Sequence, residues 1–302
     1  MRLLVLALAW ALLATLTGPV PSAQARVDPS NDIPRLPPRC EGDRHIIPTK
    51  PGPCYVTEFR KHRPTVVLWG DSHAWQHVPA VLAGARARKA NLVGFFMGGC
   101  PPVKVPLKPP ADGYATVCEK HNAMAMRFVK KLKRGPKAVR VILGSSWAGY
   151  RRAHREIKAG AGERYYGYTP WVKKMVRLFM RGAAPLFPAL GKVRVGVDVI
   201  GQTATVPRRP AACPTGEDPY TCALPRKRAI YDEAKTRTWL RGLMKKLAGK
   251  PRLIDVNNAY CGPQRCFGMV DGIYTFWDDL HLSATRVRTL RPYFRRTFRA
   301  LR

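Results

Sequence analysis

The sequence predicts an α/β protein: a three-layer α/β/α sandwich around a central, mostly parallel five-stranded sheet. Three observations predict it. Five short runs rich in apolar and β-branched residues recur along the chain, at Thr65–Leu68, Leu92–Met97, Ala138–Leu143, Arg194–Ile200 and Arg252–Val256. Helix-compatible segments lie between them, and alternation of that kind closes a parallel sheet covered on both faces. The runs are also nearly continuous in apolar character, as strands buried on both faces are.

Taken in order, residues 1–25 read as a secretory signal peptide. Arg2 supplies the positive start, Leu3 to Leu16 the apolar core, and Ala23-Gln24-Ala25 a small-x-small cleavage site near Ala25. Gly18, Pro19 and Pro21 break the apolar core too early for a comfortable membrane span. The mature chain is therefore expected to be secreted or associated with the cell envelope. Residues 26–64 form a proline-rich arm with little periodicity, and residues 65–302 the α/β domain. Trp75–Lys89 and Val117–Lys133 are the first expected helices. Tyr150–Tyr168 reads as a basic surface loop in which Arg151, Arg152 and Arg155 mix with Tyr165, Tyr166 and Tyr168. Thr169-Pro170 opens the next helix, with Thr169 as N-cap and a buried stripe of Trp171, Met175, Leu178 and Phe179. Arg226–Leu247 is one long basic helix and Cys261–Thr275 a small hairpin. Val287, Leu290, Phe294 and Leu301 mark the apolar face of the last helix.

Eight cysteines, at 40, 54, 100, 118, 213, 222, 261 and 266, all follow the export segment. In an exported chain an even number reads as a disulfide framework. Eight cysteines allow 105 pairings; the sequential one, Cys40–Cys54, Cys100–Cys118, Cys213–Cys222 and Cys261–Cys266, closes four short loops and is the expectation. The spacings lack paired Cys-x2-Cys elements with nearby histidines, so no metal is expected, and no cofactor motif is found. The net charge of +34 becomes +33 without Arg2, the only charged side chain in residues 1–25. A balance this basic suits polyanionic surroundings, and reads equally as a generally basic, solvated surface. Its spread through every segment, with no nucleic-acid-binding motif, argues against nucleic acid as the partner.

The chemistry concentrates at two places. Val66-Val67-Leu68-Trp69 runs into Gly70-Asp71-Ser72-His73, which sets Ser72 on a tight turn at the carboxyl end of the first strand. That edge of an open α/β sheet is where ligands bind. A serine there needs a base, and Trp277-Asp278-Asp279-Leu280-His281-Leu282-Ser283 supplies imidazole and carboxylate on one short segment. Ser72 is thus the candidate nucleophile, His281 its base and Asp278 the orienting acid, with Asp279 as the fallback. His73 adjoins Ser72 too closely in sequence to be the better base, and Asp71 is better placed to hold the turn. Gly98-Gly99 ends the second strand, where backbone amides can approach a ligand as an oxyanion hole requires. An ordinary strand-end turn is the competing reading.

Gly70-Asp71-Ser72-His73, followed at a distance by Asp278-x-x-His281-Leu282-Ser283, resembles the SGNH hydrolase superfamily, whose sheet is flavodoxin-like. The closer resemblance is to the SGNH domain found fused to acyltransferase-3 membrane proteins, which acylate cell-surface glycans; it runs from about Cys40 to the C-terminus. It implies a serine esterase or O-acyltransferase working on O-acyl groups, O-acetyl above all, of cell-envelope glycans. A separate membrane protein could serve as acyl donor. It also favours Gly99 as an oxyanion donor. Where the wider superfamily has an asparagine donor, this chain has Gly144-Ser145-Ser146-Trp147. That leaves the backbone N–H groups of Ser72 and Gly99 as donors, and leaves Trp147 either walling the site against a sugar or buried in the core. The missing asparagine and the basic charge keep a second reading open, a non-catalytic domain that binds an anionic cell-wall polymer.

Overall fold

The computed structural model describes residues 28–40, 47–104, 114–160, 169–206 and 222–301. The expected export segment, residues 1–25, and Cys213, Tyr165, Tyr166 and Tyr168 lie outside the described residues. The main sheet has six strands: β1 (Cys54–Tyr55), β2 (Thr65–Gly70), β3 (Asn91–Phe96), β4 (Val139–Gly144), β5 (Gly196–Ile200) and β7 (Arg252–Ile254), in the spatial order β1-β3-β2-β4-β5-β7. The five expected strands all form and are parallel to one another. The sixth comes from the proline-rich arm, which is not wholly irregular. Buried Cys54 pairs with Gly94, and Tyr55 with Val93, as an antiparallel edge.

Chain order reverses at β2, because β3 lies on one side of it and β4 on the other. The carboxyl end of β2 is therefore the topological switch point, where a crevice opens in a doubly wound sheet. Both faces of β2 are dry. Val66 and Leu68 belong to one core cluster, which also holds Trp75, Val81, Val287 and Phe294. Val67 and Trp69 belong to the other, with Val129, Phe179, Phe187 and Leu240. The alternation of side chains along a strand thus feeds two helical layers.

The helices depart from the sequence reading in instructive ways. The expected helix over Trp75–Lys89 is two, α1 (Ser72–Trp75) and α2 (Val78–Ala87), because Pro79 has no N–H to return to Trp75. Next comes α3 (Tyr114–Lys133). The described part of the expected basic loop is largely a helix, α4 (Trp147–Lys158), and α5 (Pro170–Val193) comes later, with its N-cap Thr169 accepting from Val172 N–H. Within the predicted stripe of α5, Met175, Leu178 and Phe179 are buried but Trp171 is 44% exposed. After the short strand β6 (Ala223–Pro225), the long basic helix is divided into α6 (Arg226–Ala229) and α7 (Glu233–Met244). The break falls at Asp232, whose backbone is left-handed (φ 50°), a conformation that aspartate tolerates better than most residues. The region after Cys261 forms β8 (Arg265–Phe267), which pairs with β6, then a hairpin of β9 (Met269–Val270) and β10 (Ile273–Tyr274). The last helix is likewise two, α8 (Ala284–Thr289) and α9 (Arg291–Arg299), with Pro292 in the first turn of the second.

Disulfides join Cys40 to Cys54, Cys100 to Cys118 and Cys261 to Cys266. Cys222 is also disulfide-bonded; its expected partner Cys213 lies outside the described residues. The first bridge ties the arm to the sheet edge, and Asp32 extends the tie to the other end of the chain by accepting from Thr285 N–H at 3.0 Å.

Three histidines are folded into the interior as neutral rings. Burial pushes the His77 imidazole down to about 3 and the His121 imidazole down to about 4, and it holds His73 well below the usual histidine value. Neither ring nitrogen of His77 has a hydrogen-bond partner among the described residues, and the ring lies 5.9 Å from that of Phe294. The unfolded chain takes up these protons near pH 6.5 and the folded one does not. Folding stability is therefore complete above about pH 6.5 and is lost as pH falls from there towards the folded values. Urea denaturation of His77→Leu should show about 2–3 kcal/mol less loss than wild type between pH 6.5 and 4.5. Equal losses in both proteins would show that His77 does not carry the acid sensitivity.

Candidate active site

Ser72 sits at the first position of α1, directly beyond β2, and is partly exposed between buried Asp71 and His73. The turn is possible because two glycines let the strands close over it. A Cβ on Gly70, whose φ is 156°, would stand 1.8 Å from the Gly144 carbonyl oxygen, and one on Gly144 would stand 2.9 Å from Ala74 Cα. Asp71 then locks it. Its carboxylate accepts from His73 N–H at 2.8 Å, from the Ser145 hydroxyl at 2.7 Å and from Ser146 N–H at 3.1 Å. Burial pushes the Asp71 carboxyl up, against these three donors, which favour its charged form. The end of β2 is thereby fastened to the end of β4.

The second part of the site lies on the loop before α8. His281 Nδ1 donates to Asp278 Oδ2 at 2.7 Å, which assigns its proton to that nitrogen. The other Asp278 oxygen accepts from Leu280 N–H at 2.8 Å and His281 N–H at 2.6 Å, so one carboxylate shapes the loop and orients the ring. Asp278, not Asp279, is the carboxylate beside the imidazole. The His281 ring stacks on Trp277 at 5.6 Å between centroids and meets Trp75 edge-on at 6.1 Å and His73 at 5.3 Å. It thus lies against α1, the helix that carries Ser72. Its Nε2 is buried and has no hydrogen-bond partner among the described residues. That nitrogen holds an accepting lone pair in a dry setting, where an unpaired polar atom is costly.

One residue absent from the sequence reading joins the two parts. Gln76, fully buried, accepts from Leu282 N–H at 2.7 Å and donates to the Thr203 hydroxyl at 3.2 Å and the His73 carbonyl at 3.3 Å. It ties the histidine loop to α1 and to the end of β5. His73 Nδ1 lies 3.2 Å from the same Thr203 hydroxyl, so its ring is part of this framework. A glutamine four residues after Ser72 has no motif to announce it; only burial and the 206-residue separation from Leu282 show its importance.

Gly99 has a left-handed backbone (φ 63°) in the turn that follows β3. Its carbonyl accepts from the Tyr150 hydroxyl at 2.9 Å, while neither its N–H nor that of Ser72 donates to any described residue. A Cβ at Gly99 would stand 2.8 Å from the Trp171 ring, so this exposed tryptophan covers the glycine turn. Trp147 goes elsewhere. It is completely buried, its indole N–H donates to the Ile200 carbonyl at 2.8 Å, and it packs on Phe179 and Trp239. The structure thus brings together Asp278 and His281, places them against the Ser72 helix, and sets Trp147 in the core. The arginines after Trp147 are also engaged within the protein. Arg155 pairs with Asp232 at 2.5 Å, Arg152 pairs with Glu156 at 2.6 Å, and Arg151 lies over Trp239. Among the described residues no group of three His, Cys, Asp or Glu side chains could hold a metal ion.

A doubly wound sheet with a serine at its switch point and a carboxylate–imidazole pair beside it defines a class of α/β enzymes that use serine chemistry. A family model described as the SGNH domain fused to AT3 domains matches residues 39–296, and the chain belongs to that family. It is accordingly an SGNH-type enzyme acting on ester bonds, of the acyl esterase or acetyltransferase kind. In fold it is similar to the periplasmic domain of a lipopolysaccharide acetyltransferase from Salmonella ser. Paratyphi A. The two are 12% identical, the likeness covers 79% of this chain and 84% of that one, and the TM-score is 0.52. A carbohydrate acetylesterase family member from Sinorhizobium meliloti, 12% identical, covers 79% and 98% at a TM-score of 0.33. No curated protein sequence matches the chain.

Replacing Gln76 by Leu leaves the Leu282 N–H and the Thr203 hydroxyl short of a partner in a dry site. The expected cost is about 1–3 kcal/mol in urea denaturation. Amide exchange at Leu282 should quicken more than exchange in β3. Unchanged exchange at Leu282 would mean that the loop is held by Asp278 alone.

Proposed function

We propose that the chain is an exported enzyme that moves acyl groups, acetyl first among them, to or from hydroxyls of cell-envelope glycans. Ser72 is the nucleophile, His281 the base and Asp278 the orienting acid. One observation carries the reading: the Asp278–His281 pair at 2.7 Å leaves a buried, unpartnered Nε2 on a ring packed against the Ser72 helix. In this mechanism Ser72 Oγ attacks the ester carbonyl carbon while its proton passes to His281 Nε2. Asp278 stabilises the imidazolium. The backbone N–H groups of Ser72 and Gly99 receive the oxyanion, taking the place of the asparagine side chain that the end of β4 lacks. Collapse expels the alcohol oxygen, which takes the proton back from Nε2, and leaves an acyl ester on Ser72. Water then gives an esterase, and a sugar hydroxyl gives a transferase.

Export is supported by the leader-like residues 1–25 and by disulfides that suit an oxidising compartment. Among the described residues no helix is long and apolar enough to cross a membrane. The family's association with AT3 domains supports a separate membrane protein as acyl donor in the transferase case. The glycan reading is supported by the family and by the acetyltransferase fold neighbour.

With p-nitrophenyl acetate as substrate, Ser72→Ala and His281→Ala should each lose at least about a thousandfold in kcat/KM while keeping the thermal midpoint of wild type. Asp278→Asn should lose activity while Ser72 can still be labelled slowly by a fluorophosphonate. If wild type neither turns over the ester nor labels at Ser72, the catalytic reading fails and a binding domain remains. Gly70→Ala should unfold the turn and abolish labelling, as its Cβ has no space.

A further inference from the structure

The free edge of the sheet carries a second feature that the catalytic reading does not use. Between β7 and α9 runs a groove of about 620 Å³. Its walls hold Arg241 from α7, Arg252 from β7, and Arg295, Arg296 and Arg299 from α9, with Tyr293 among them. Asp255 is the one acid in the lining, and it is already paired with Arg237 at 2.6 Å. Arg241, Arg295, Arg296 and Arg299 are exposed and form no ion pair among the described residues. The groove therefore presents concentrated, uncompensated positive charge.

The groove is also built rigidly. Asp198, fully buried in β5, accepts from Arg140 at 2.7 Å, from Arg252 at 3.0 Å and from the Thr297 hydroxyl at 2.7 Å. Burial would raise the Asp198 carboxyl, but the two guanidinium groups and the hydroxyl outweigh it and hold the carboxyl below its usual value. Thr297 is thereby anchored to the sheet, Phe294 and Phe298 are buried beside it, and a Cβ on Gly84 of α2 would strike the Phe298 ring at 2.1 Å. Helix α9 cannot roll, so Arg295, Arg296 and Arg299 are held over the edge strand. Like charges three and four residues apart repel one another along a helix, and among the described residues no carboxylate pairs with these three arginines; what favours them is placement near the helix C-terminus.

We propose that this groove binds an acidic polysaccharide, a glycan bearing carboxylate or phosphate groups along its chain. The arginine forks suit such anions, and Tyr293, 37% exposed, offers a ring face to a sugar between them. A concave trough fits a strand of polymer better than a flat bilayer, and a single aromatic does not make the run of stacking platforms that single-stranded nucleic acid uses. The groove lies three strands from β2, about 14 Å across the sheet, so a chain bound there leaves the Ser72 turn open. The site stands whether or not Ser72 is catalytic.

The test uses the full mature chain at about 150 mM salt, where weak surface charge effects are screened, with polygalacturonate as probe. Arg295→Gln/Arg296→Gln/Arg299→Gln should weaken binding by about tenfold or more. A control of equal charge loss, Lys130→Gln/Lys131→Gln/Arg134→Gln on α3 and the turn after it, should change it by less than about threefold. Both variants alter exposed positions, and matching thermal midpoints verify folding. Tyr293→Ala should weaken polygalacturonate binding while leaving inorganic polyphosphate unaffected. Equal weakening by the two charge variants would reduce the groove to general surface charge and overturn the proposal. So would retention of wild-type binding by the groove variant. Anionic phospholipid vesicles or single-stranded DNA that bind through the groove while polygalacturonate does not would equally overturn it, in favour of that other polyanion.

Discussion

The organising constraint is the junction at the carboxyl ends of β2 and β4. Gly70 and Gly144 approach so closely that neither position has space for a side chain, and the buried Asp71 carboxylate fills the remaining polar demand by binding Ser145, Ser146 and His73. A buried carboxylate is costly unless donors surround it; here the donors come from two strand ends, so satisfying the charge also fixes the turn. Ser72 is left partly exposed while its neighbours on both sides are committed to this junction.

The candidate chemistry depends on a second closure, between segments some two hundred residues apart. Gln76 makes it by meeting the Leu282 N–H, and the Trp75 and Trp277 rings enclose the imidazole. The His281 side chain is dry there, 8% exposed, beside an Asp278 side chain that is 26% exposed. The same dryness keeps His73 neutral, so the ring beside His281 adds no competing charge.

A chain of net charge +34 must also manage repulsion. It does so unevenly. Buried Asp198 gathers Arg140 and Arg252, and Glu233 gathers Arg226 and Arg237, so arginines near the core are matched by carboxylates. The unmatched charge is left at the surface, and the rigid attachment of α9 concentrates part of it beside β7. Net charge alone speaks to solubility and to non-specific attraction; only the pattern of pairing separates structural arginines from available ones.

The existence and parallel direction of the five strands, the serine at a strand end, and the Asp278-x-x-His281 spacing were all legible in the sequence, because each follows from pattern along the chain: apolar runs alternating with helices, a glycine turn and a three-residue offset. Local pattern failed where long-range contacts decided the outcome. The prolines at 79 and 292 divided helices that periodicity had drawn whole, and the run after Trp147 folded as a helix because Asp232, Tyr231 and Trp239, distant in sequence, receive its arginines. The placement of the two tryptophans belongs here too. Amphipathic character could not tell which would be buried, and the helix packing put Trp147 inside and left Trp171 over Gly99. Gln76 was invisible for the same reason, since a glutamine's importance lies in the backbone group it meets. Sequence determined which residues could do chemistry at a strand end; tertiary structure decided which were brought together, because hydrogen bonds and burial are satisfied between elements that the chain order keeps far apart.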